Sequence, residues 1–210
     1  MLTETEIQRC LAQAPKAELQ FEVPLPSEAL NPKPRPAAVL IPFLPKDDGW
    51  HLLFIRRTVV PQDPHSGQVA FPGGRCIPED TDATQAALRE AWEEVGIQPA
   101  DVRIVGQVRQ MVTITNYCVT PVVGVIPWPY TLTPQVEEVA RIFTIPLTWL
   151  ANPANHSIQM RGLQILGRDV PVIFFKRYEG ELLWGASAQM TVWLLEALGL
   201  ASPGNRTIHK

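Results

Sequence analysis

The sequence predicts an α/β fold in which helices lie on both faces of a mixed sheet. Apolar runs typical of strands alternate irregularly with helical segments, a pattern typical of a mixed sheet. Proline makes up 21 of the 210 residues, about twice its usual share, which disfavours a helical bundle. Hydrophobic residues make up 46% of the chain and charged residues 19%, which is enough for a sizeable core in one domain.

The first 36 residues are predicted to form a helix and an arm, and residues 37–210 the domain. Thr3 and Glu6 match a capping box, and they predict a short helix over about residues 3–13. Residues 15–36 contain six prolines, which predict an extended tether rather than a folded unit.

A β-hairpin is predicted next. Its strands, over 37–43 and 51–57, flank the turn sequence Pro-Lys-Asp-Asp-Gly. A loop over 60–67 leads to a short strand over 68–71 and then to Pro72 and two glycines.

The glycines precede a predicted helix that Thr81 or Asp82 can cap, that several alanines favour, and that Gly96 ends. Three further strands are predicted over 102–108, 117–126 and 170–178. A short helix is predicted over 146–151, and a closing amphipathic helix over 186–200.

Charge and cysteine content exclude several functional classes. The formal net charge is −3, which argues against nucleic acid or an anionic membrane as the main partner. An uncharged stretch at 111–136 contains four prolines, and it is interpreted as a buried strand and a loop rather than a membrane span. Three separated cysteines and the acidic first residues predict a cytoplasmic protein. A homodimer is an open expectation.

The predicted helix after the glycines carries three acidic residues on one side. Glu90 and Glu94 are four residues apart and therefore share a face, with Glu93 beside them. Like charges at this spacing repel, but converging carboxylates suit a hard dication such as Mg²⁺ or Mn²⁺. A solvated acidic face is the alternative for the helix considered alone.

The wider pattern resembles the Nudix box, which has the form G-x5-E-x7-REUxEExGU. Gly74, Asp80 and the sequence REAWEEVGI at 89–97 follow this pattern. Asp80 stands for the first Glu, and eight residues rather than seven precede Arg89; a box of this kind is similar to that of the coenzyme A diphosphohydrolase branch. The resemblance implies a Nudix-type α/β/α sandwich with a mixed, partly antiparallel sheet.

The resemblance to that branch covers roughly residues 37–200. It includes HSGQVAFPGG at 65–74, the stretch at 116–124, the segment at 138–147 and WGASA at 184–188. One departure is the segment PQDPH at 61–65, where the branch has a basic residue. Arginines nearby can supply positive charge instead.

The resemblance and the shared helix face together assign roles. Glu90 and Glu94 are expected to be the principal metal ligands, with Glu93 a further ligand or the base, and the Gly73 carbonyl an added ligand. Glu138 is expected to complete the site or act as base, although Glu137 is an equal candidate by sequence. Arg89 is expected to orient a glutamate. Asp80 is expected to bracket the loop, and Cys76 to be an inert thiol. Substrate-binding candidates are Arg56, Arg57, His65, Gly74 and Arg75.

The implied reaction is metal-dependent hydrolysis of a diphosphate bond in a small nucleotide-derived substrate. Coenzyme A or its thioesters, cut to 3′,5′-ADP and 4′-phosphopantetheine, are the leading substrates. ADP-ribose, dinucleotides and nucleoside triphosphates are the alternatives among enzymes. A non-catalytic module that senses nucleotides, and a factor that processes nucleic acid, are alternatives of other classes; the three retained glutamates and the acidic balance argue against them.

Overall fold

The computed structural model describes residues 2–14, 20–21, 33–61, 65–163, 168–201 and 208–209. Most of the predicted proline-rich arm, residues 15–36, lies outside these residues. Among the residues that are described, no helix is both long and apolar enough to cross a membrane.

The described residues form helices and strands in irregular order along the chain. The helices are α1 (Glu4–Gln13), α2 (Ala83–Val95), α3 (Leu147–Ala151) and α4 (Gly185–Ala197). The strands are β1 (Gln20–Phe21), β2 (Arg35–Lys46), β3 (Gly49–Arg57), β4 (Val69–Ala70), β5 (Gly73–Arg75), β6 (Arg103–Gln107), β7 (Met111–Val112), β8 (Tyr117–Val125), β9 (Val139–Pro146), β10 (His156–Leu163), β11 (Arg168–Phe175) and β12 (Ile208–His209).

The main sheet is mixed, as predicted. Its strands run in the order β1-β7-β8-β2-β3-β4, while β5, β6 and β9 pair with β2, β8 and β3, respectively. The long central pair, β2 with β8, is parallel, and β2 with β3 is antiparallel. The β2–β3 pair closes at Lys46 and Gly49, which confirms the predicted hairpin around Asp47 and Asp48. A smaller sheet joins β11, β10 and β12.

Helices cover both faces of the main sheet. Helix α2 packs its small residues on one face, in a core with Leu40, Leu53 and Val122. Apolar residues of α1, α3 and α4 pack on the other face, around Phe43 and Phe54. This arrangement confirms the predicted α/β sandwich, and it leaves the end of β5 beside α2.

Helix α2 forms where its end signals predicted. The Asp82 carboxylate, rather than Thr81, caps the helix by accepting the Gln85 N–H at 2.8 Å. Gly96 ends the helix with a φ of 75°, a left-handed conformation that glycine adopts without strain. These two ends set the length of the helix that carries the acidic residues.

Several element predictions were wrong in extent or missing. Strand β6 is one residue shorter at each end than the predicted strand over 102–108. Helix α4 ends at Ala197, and it is buried on most of its surface rather than amphipathic, because it lies between α1 and β11. Strands β1, β5, β7, β9, β10 and β12 were not predicted. Glycines in β5 have no strand propensity, and β10 has few of the residue types that strands favour.

Helix α1 belongs to the core of the fold. Ile7 is fully buried and Leu11 nearly so, in the same core as residues of α4. A Cβ on Gly106 of β6 would lie 2.9 Å from the Leu11 Cβ, so the glycine allows the helix to pack closely on the strand. The Trp50 indole also donates a hydrogen bond to the Leu2 carbonyl.

Replacing Ile7 by alanine is therefore expected to destabilise the protein by about 2–5 kcal/mol, the usual cost of such a cavity in a core. Urea unfolding measures the loss, and Gln8→Ala on the exposed side of the same helix is the control. A loss below about 0.5 kcal/mol, the range of ordinary surface substitutions, would show that α1 does not contribute to the core.

Candidate active site

Arg89 joins the loop before α2 to the acidic face of the helix. Its Nε and Nη2 donate to both oxygens of Asp80 at 3.0 and 3.1 Å, and Nη2 also donates to the Arg75 carbonyl at 3.0 Å. Its Nη1 donates to Glu90 at 2.9 Å and to Glu93 at 3.1 Å. The guanidinium therefore holds the carboxylates of Glu90 and Glu93 on the same side of the helix.

Asp80 holds the other end of this contact. Its side chain is only 2% exposed, and it accepts the Ile77 N–H at 2.9 Å, which brackets the loop as predicted. The bidentate contact with Arg89 lowers the pKa of Asp80, and the Ile77 N–H adds to this effect. The acid is therefore ionised across the neutral range.

Protonation of Asp80 is expected to loosen this loop. Folding lowers the pKa of this carboxyl from its ordinary value of 3.8. The ionised group therefore stabilises the protein fully above about pH 3.8, and this stabilisation is lost as the pH falls through the pKa of the folded state. In Asp80→Asn, stability is expected to be lower than wild type near pH 7, and the difference to shrink towards pH 2.5. Melting curves across this range measure it, with Asp47→Asn in the exposed hairpin turn as control. A constant difference would contradict the assigned pairing.

Glu90 lies directly against the backbone of β5. A Cβ on Gly74 would lie 2.5–2.7 Å from the carboxylate atoms of Glu90, so the glycine at this position makes room for the carboxylate. Burial raises the pKa of Glu90, although the contact with Arg89 opposes the shift. The negative charges of Glu93 and Glu138 raise this pKa further.

Glu94 is the most buried of the three glutamates on the helix, with 3% exposure. Its carboxylate accepts the Gly73 N–H at 2.9 Å. Burial is the main cause that raises the pKa of Glu94 to about 8, against the Gly73 hydrogen bond. The charges of Glu90 and Glu138 add to the rise, and that of Arg57 lowers it. Without a cation this side chain is largely protonated at neutral pH.

The backbone of Gly73 is turned towards the helix. Strand β5 pairs with β2 in an antiparallel manner, and its hydrogen bonds to β2 involve even-numbered residues. The Leu40 N–H donates to the Pro72 carbonyl, and the Cys76 N–H donates to the Pro36 carbonyl. In such a pair the N–H and carbonyl of one residue point to the same side of the strand. The Gly73 carbonyl therefore faces away from β2, on the same side as its N–H, which reaches Glu94.

A loop from β8 to β9 carries Glu138 to the site. The backbone N–H groups of Thr133 and Gln135 donate to the carbonyls of Val95 and Glu94, respectively, at 3.0 and 2.9 Å, and so complete the end of α2. The Thr58 N–H donates to the Glu138 carbonyl at 2.8 Å. The charge of exposed Glu138 raises the pKa of both Glu90 and Glu94. These backbone hydrogen bonds hold the loop against α2, and they explain why Glu138, which is distant in sequence, lies near the acidic residues of the helix.

The donor chemistry fits a hard divalent cation. Glu90 and Glu94 present oxygen ligands, and the Gly73 N–H and Arg57 only partly offset the cost of burying the ionised Glu94, which a cation would offset further. Among the described residues, however, no three His, Cys, Asp or Glu side chains already form a metal cluster. The two carboxylates would therefore need the Gly73 carbonyl, water or substrate oxygens, and Glu93 or Glu138 after a side-chain movement.

The predicted substrate-binding residues do not all converge. Arg57 acts on Glu94 through its charge, and Gly74 touches Glu90. Arg56 instead pairs with buried Glu181 at 3.2 Å, because successive residues of β3 face opposite sides of the sheet. His65 contacts Gln68 in its own loop at 3.3 Å.

Arg75 lies at the end of β5, with its carbonyl held by Arg89. Burial raises the pKa of the Cys76 thiol, and this agrees with the predicted inert thiol. Sequence reasoning missed Thr133 and Gln135. They contribute only backbone groups, so no side-chain signal marks them.

Comparisons with known proteins identify the family of this chain. The family model described as "NUDIX domain" matches residues 33–164. A Photorhabdus laumondii protein named "Uncharacterized Nudix hydrolase NudL" is 36% identical over 172 residues, covering 80% of this chain and 88% of that protein. An Escherichia coli protein of the same name is 39% identical over 155 residues, covering 73% and 78% of the two chains.

A crystal structure of the Nudix hydrolase RenU from M. smegmatis is also similar. It has a TM-score of 0.47 and 24% identity, and the match covers 56% of this chain and 74% of that one. The family model alone spans more than half of the chain. The chain therefore belongs to the Nudix hydrolases, enzymes that act on diphosphate bonds of small nucleotide-derived substrates and generally use divalent metal ions.

Proposed function

We propose that the protein hydrolyses the diphosphate bond of coenzyme A or its thioesters, with Mg²⁺ or Mn²⁺ held by Glu90 and Glu94. The observation that carries this proposal is the continuity of the HSGQVAFPGG stretch with the site. This stretch, residues 65–74, resembles the coenzyme A branch, and its last two glycines contact Glu94 and Glu90.

The reaction consumes one water. Its oxygen forms a bond to one phosphorus while the bridging bond between that phosphorus and the shared oxygen breaks. Coenzyme A and water thus give 3′,5′-ADP and 4′-phosphopantetheine. When bound, the metal supplies positive charge to the diphosphate and acidifies water.

The residues of this chain have separate tasks in the proposal. Glu90 and Glu94 bind the cation, the Gly73 carbonyl adds a ligand, and Arg89 positions Glu90. Glu93 and Glu138 are the candidates to accept the proton of the attacking water, because both are exposed acids whose charges act on Glu90. A cytoplasmic location and a homodimer remain predictions.

A substrate panel tests the proposal. The pure protein with Mg²⁺ or Mn²⁺ is incubated with coenzyme A, acetyl-coenzyme A, ADP-ribose, NADH, diadenosine polyphosphates and nucleoside triphosphates. Products are identified by mass, and Glu94→Gln is the blank. Metal-dependent release of 3′,5′-ADP from coenzyme A is the expected result.

Two other results would count against the proposal in different ways. Turnover of only ADP-ribose, a dinucleotide or a triphosphate would contradict the coenzyme A assignment. The altered specificity would then be attributed to the sequence PQDPH at 61–65, which departs from that of the coenzyme A branch. The central residues of that segment, 62–64, lie outside the described residues. No turnover of any substrate would favour a non-catalytic module that binds nucleotides.

A further inference from the structure

One threonine holds the loop that carries Glu138. Thr58 directly follows β3, and its side-chain hydroxyl donates a hydrogen bond to the Val136 carbonyl at 3.1 Å. Its backbone N–H donates to the Glu138 carbonyl at 2.8 Å. Thr58 therefore binds the carbonyls on both sides of Glu137, and one of these two contacts depends on its side chain.

A tight turn lies between Thr58 and the end of helix α2. The N–H groups of Glu138 and Val139 both donate to the Gln135 carbonyl, at 2.9 and 2.7 Å, respectively. The Gln135 N–H donates in turn to the carbonyl of Glu94 at 2.9 Å. The turn is thus attached on one side to the backbone of a proposed metal ligand and on the other side to Thr58.

Glu138 lies near the acidic residues of α2 without a cationic side chain to hold it there. Its charge acts on both Glu90 and Glu94, and it is exposed. Within the part of the chain that the structure describes, Glu138 forms no ion pair, whereas Glu93 pairs with Arg89 at 3.1 Å. Like charges repel one another, so the hydrogen bonds of the turn must keep this carboxylate close to the others.

We infer that Thr58 is a positioning residue, whose hydroxyl holds the turn that directs the Glu138 carboxylate to the site of hydrolysis. The inference rests on the proposed function, in which Glu138 is a candidate to accept the proton of the attacking water. Without the hydroxyl, the turn loses its contact at Val136 and keeps only its backbone hydrogen bonds. The chemical step is then expected to slow, while substrate binding stays nearly the same.

The test compares Thr58→Val, which loses the hydroxyl but has a similar shape, with Thr58→Ser, which keeps the hydroxyl. Thr191→Val is the matched control, because the Thr191 hydroxyl also donates to a backbone carbonyl, that of Ser187 at 2.8 Å, within α4. The values of kcat and KM are measured with Mg²⁺ on coenzyme A, or on the member of the substrate panel that wild type cleaves fastest.

Thr58→Val is expected to lower kcat by about 3- to 10-fold, which corresponds to the net contribution of one hydrogen bond. Its KM is expected to stay near that of wild type, and Thr58→Ser and Thr191→Val are expected to keep the wild-type kcat. An unchanged kcat in Thr58→Val, or an equal loss in Thr58→Ser, would overturn the inference.

A double-mutant cycle shows whether Thr58 acts through Glu138. Glu138→Gln alone is expected to lower kcat by about 100-fold or more, the usual contribution of a general base. In the Glu138→Gln background, Thr58→Val is expected to lower kcat no further. Additive losses, or full activity of Glu138→Gln, would refute a role of Thr58 through this carboxylate.

Amide hydrogen exchange separates this inference from the proposed function, because it needs neither substrate nor metal. The amides of Glu138 and Val139 are followed in metal-free wild type, Thr58→Val and Thr191→Val. Exchange of both amides is expected to be about 3- to 10-fold faster in Thr58→Val alone, and this result would support the anchoring role even if coenzyme A were not turned over. Unchanged exchange in Thr58→Val would contradict the anchoring role whichever substrate the enzyme cleaves.

Discussion

Glu94→Gln is expected to reduce metal-dependent hydrolysis by about 1000-fold or more, because one cation ligand contributes several kcal/mol and each 1.4 kcal/mol changes the rate tenfold. The same substitution is expected to leave the metal-free protein at least as stable as wild type at pH 8. The reason is that Glu94 is almost fully buried, and burial raises its pKa to about 8. Glutamine fills the site without a charge to bury.

The sign of the pH effect follows from the direction of this shift. Between about pH 4.5 and 8 the unfolded chain releases the proton of Glu94, whereas the folded chain keeps it. The stability of the metal-free wild type therefore falls as the pH rises through this window, and Glu94→Gln removes this contribution. Melting curves with EDTA at pH 5 and pH 8 measure the difference, with exposed Glu79→Gln as control. A variant with full turnover, or one less stable than wild type at pH 8, would contradict the assignment.

Gly74→Ala is expected to lower metal affinity and kcat by about 10- to 100-fold, the usual effect of disturbing the groups that support a ligand. The added Cβ would lie 2.5–2.7 Å from the Glu90 carboxylate atoms. Pairing of Gly74 with Ala38 fixes the strand, so the carboxylate must move. Its movement would also disturb the contact with Arg89.

The control for this substitution is Gly162→Ala. Gly162 also lies in a strand, and there a Cβ would meet only the end of the exposed Asp169 side chain, at 3.3 Å. Circular dichroism checks that both variants fold, and a Mn²⁺ titration gives their affinities. If Gly74→Ala bound the metal as wild type does, the glycine would not be needed to make room for Glu90.

The parts of the site that the sequence predicted are local. Asp82, Gly96 and the spacing of Glu90 and Glu94 act within one helix, and rules for a single helix suffice to place them on one face. The pairing of the hairpin followed in the same way from two apolar runs and a short turn.

The parts that escaped prediction depend on pairing between distant segments. Arg56 looked equivalent to Arg57, but the alternation of β3 sends it to Glu181 on the other face. Glu138 is close to α2 because backbone groups anchor its loop, and these leave no side-chain pattern to read.

The central claim is that Glu90 and Glu94 together hold the catalytic cation. The most direct measurement is a titration of Mn²⁺ followed by electron paramagnetic resonance on wild type, Glu90→Gln, Glu94→Gln and the exposed control Glu79→Gln, all in the absence of substrate. We expect wild type and Glu79→Gln to bind Mn²⁺ with the same affinity. We expect this affinity to fall at least tenfold in Glu90→Gln and in Glu94→Gln. Unchanged Mn²⁺ affinity in both Glu90→Gln and Glu94→Gln would contradict the central claim.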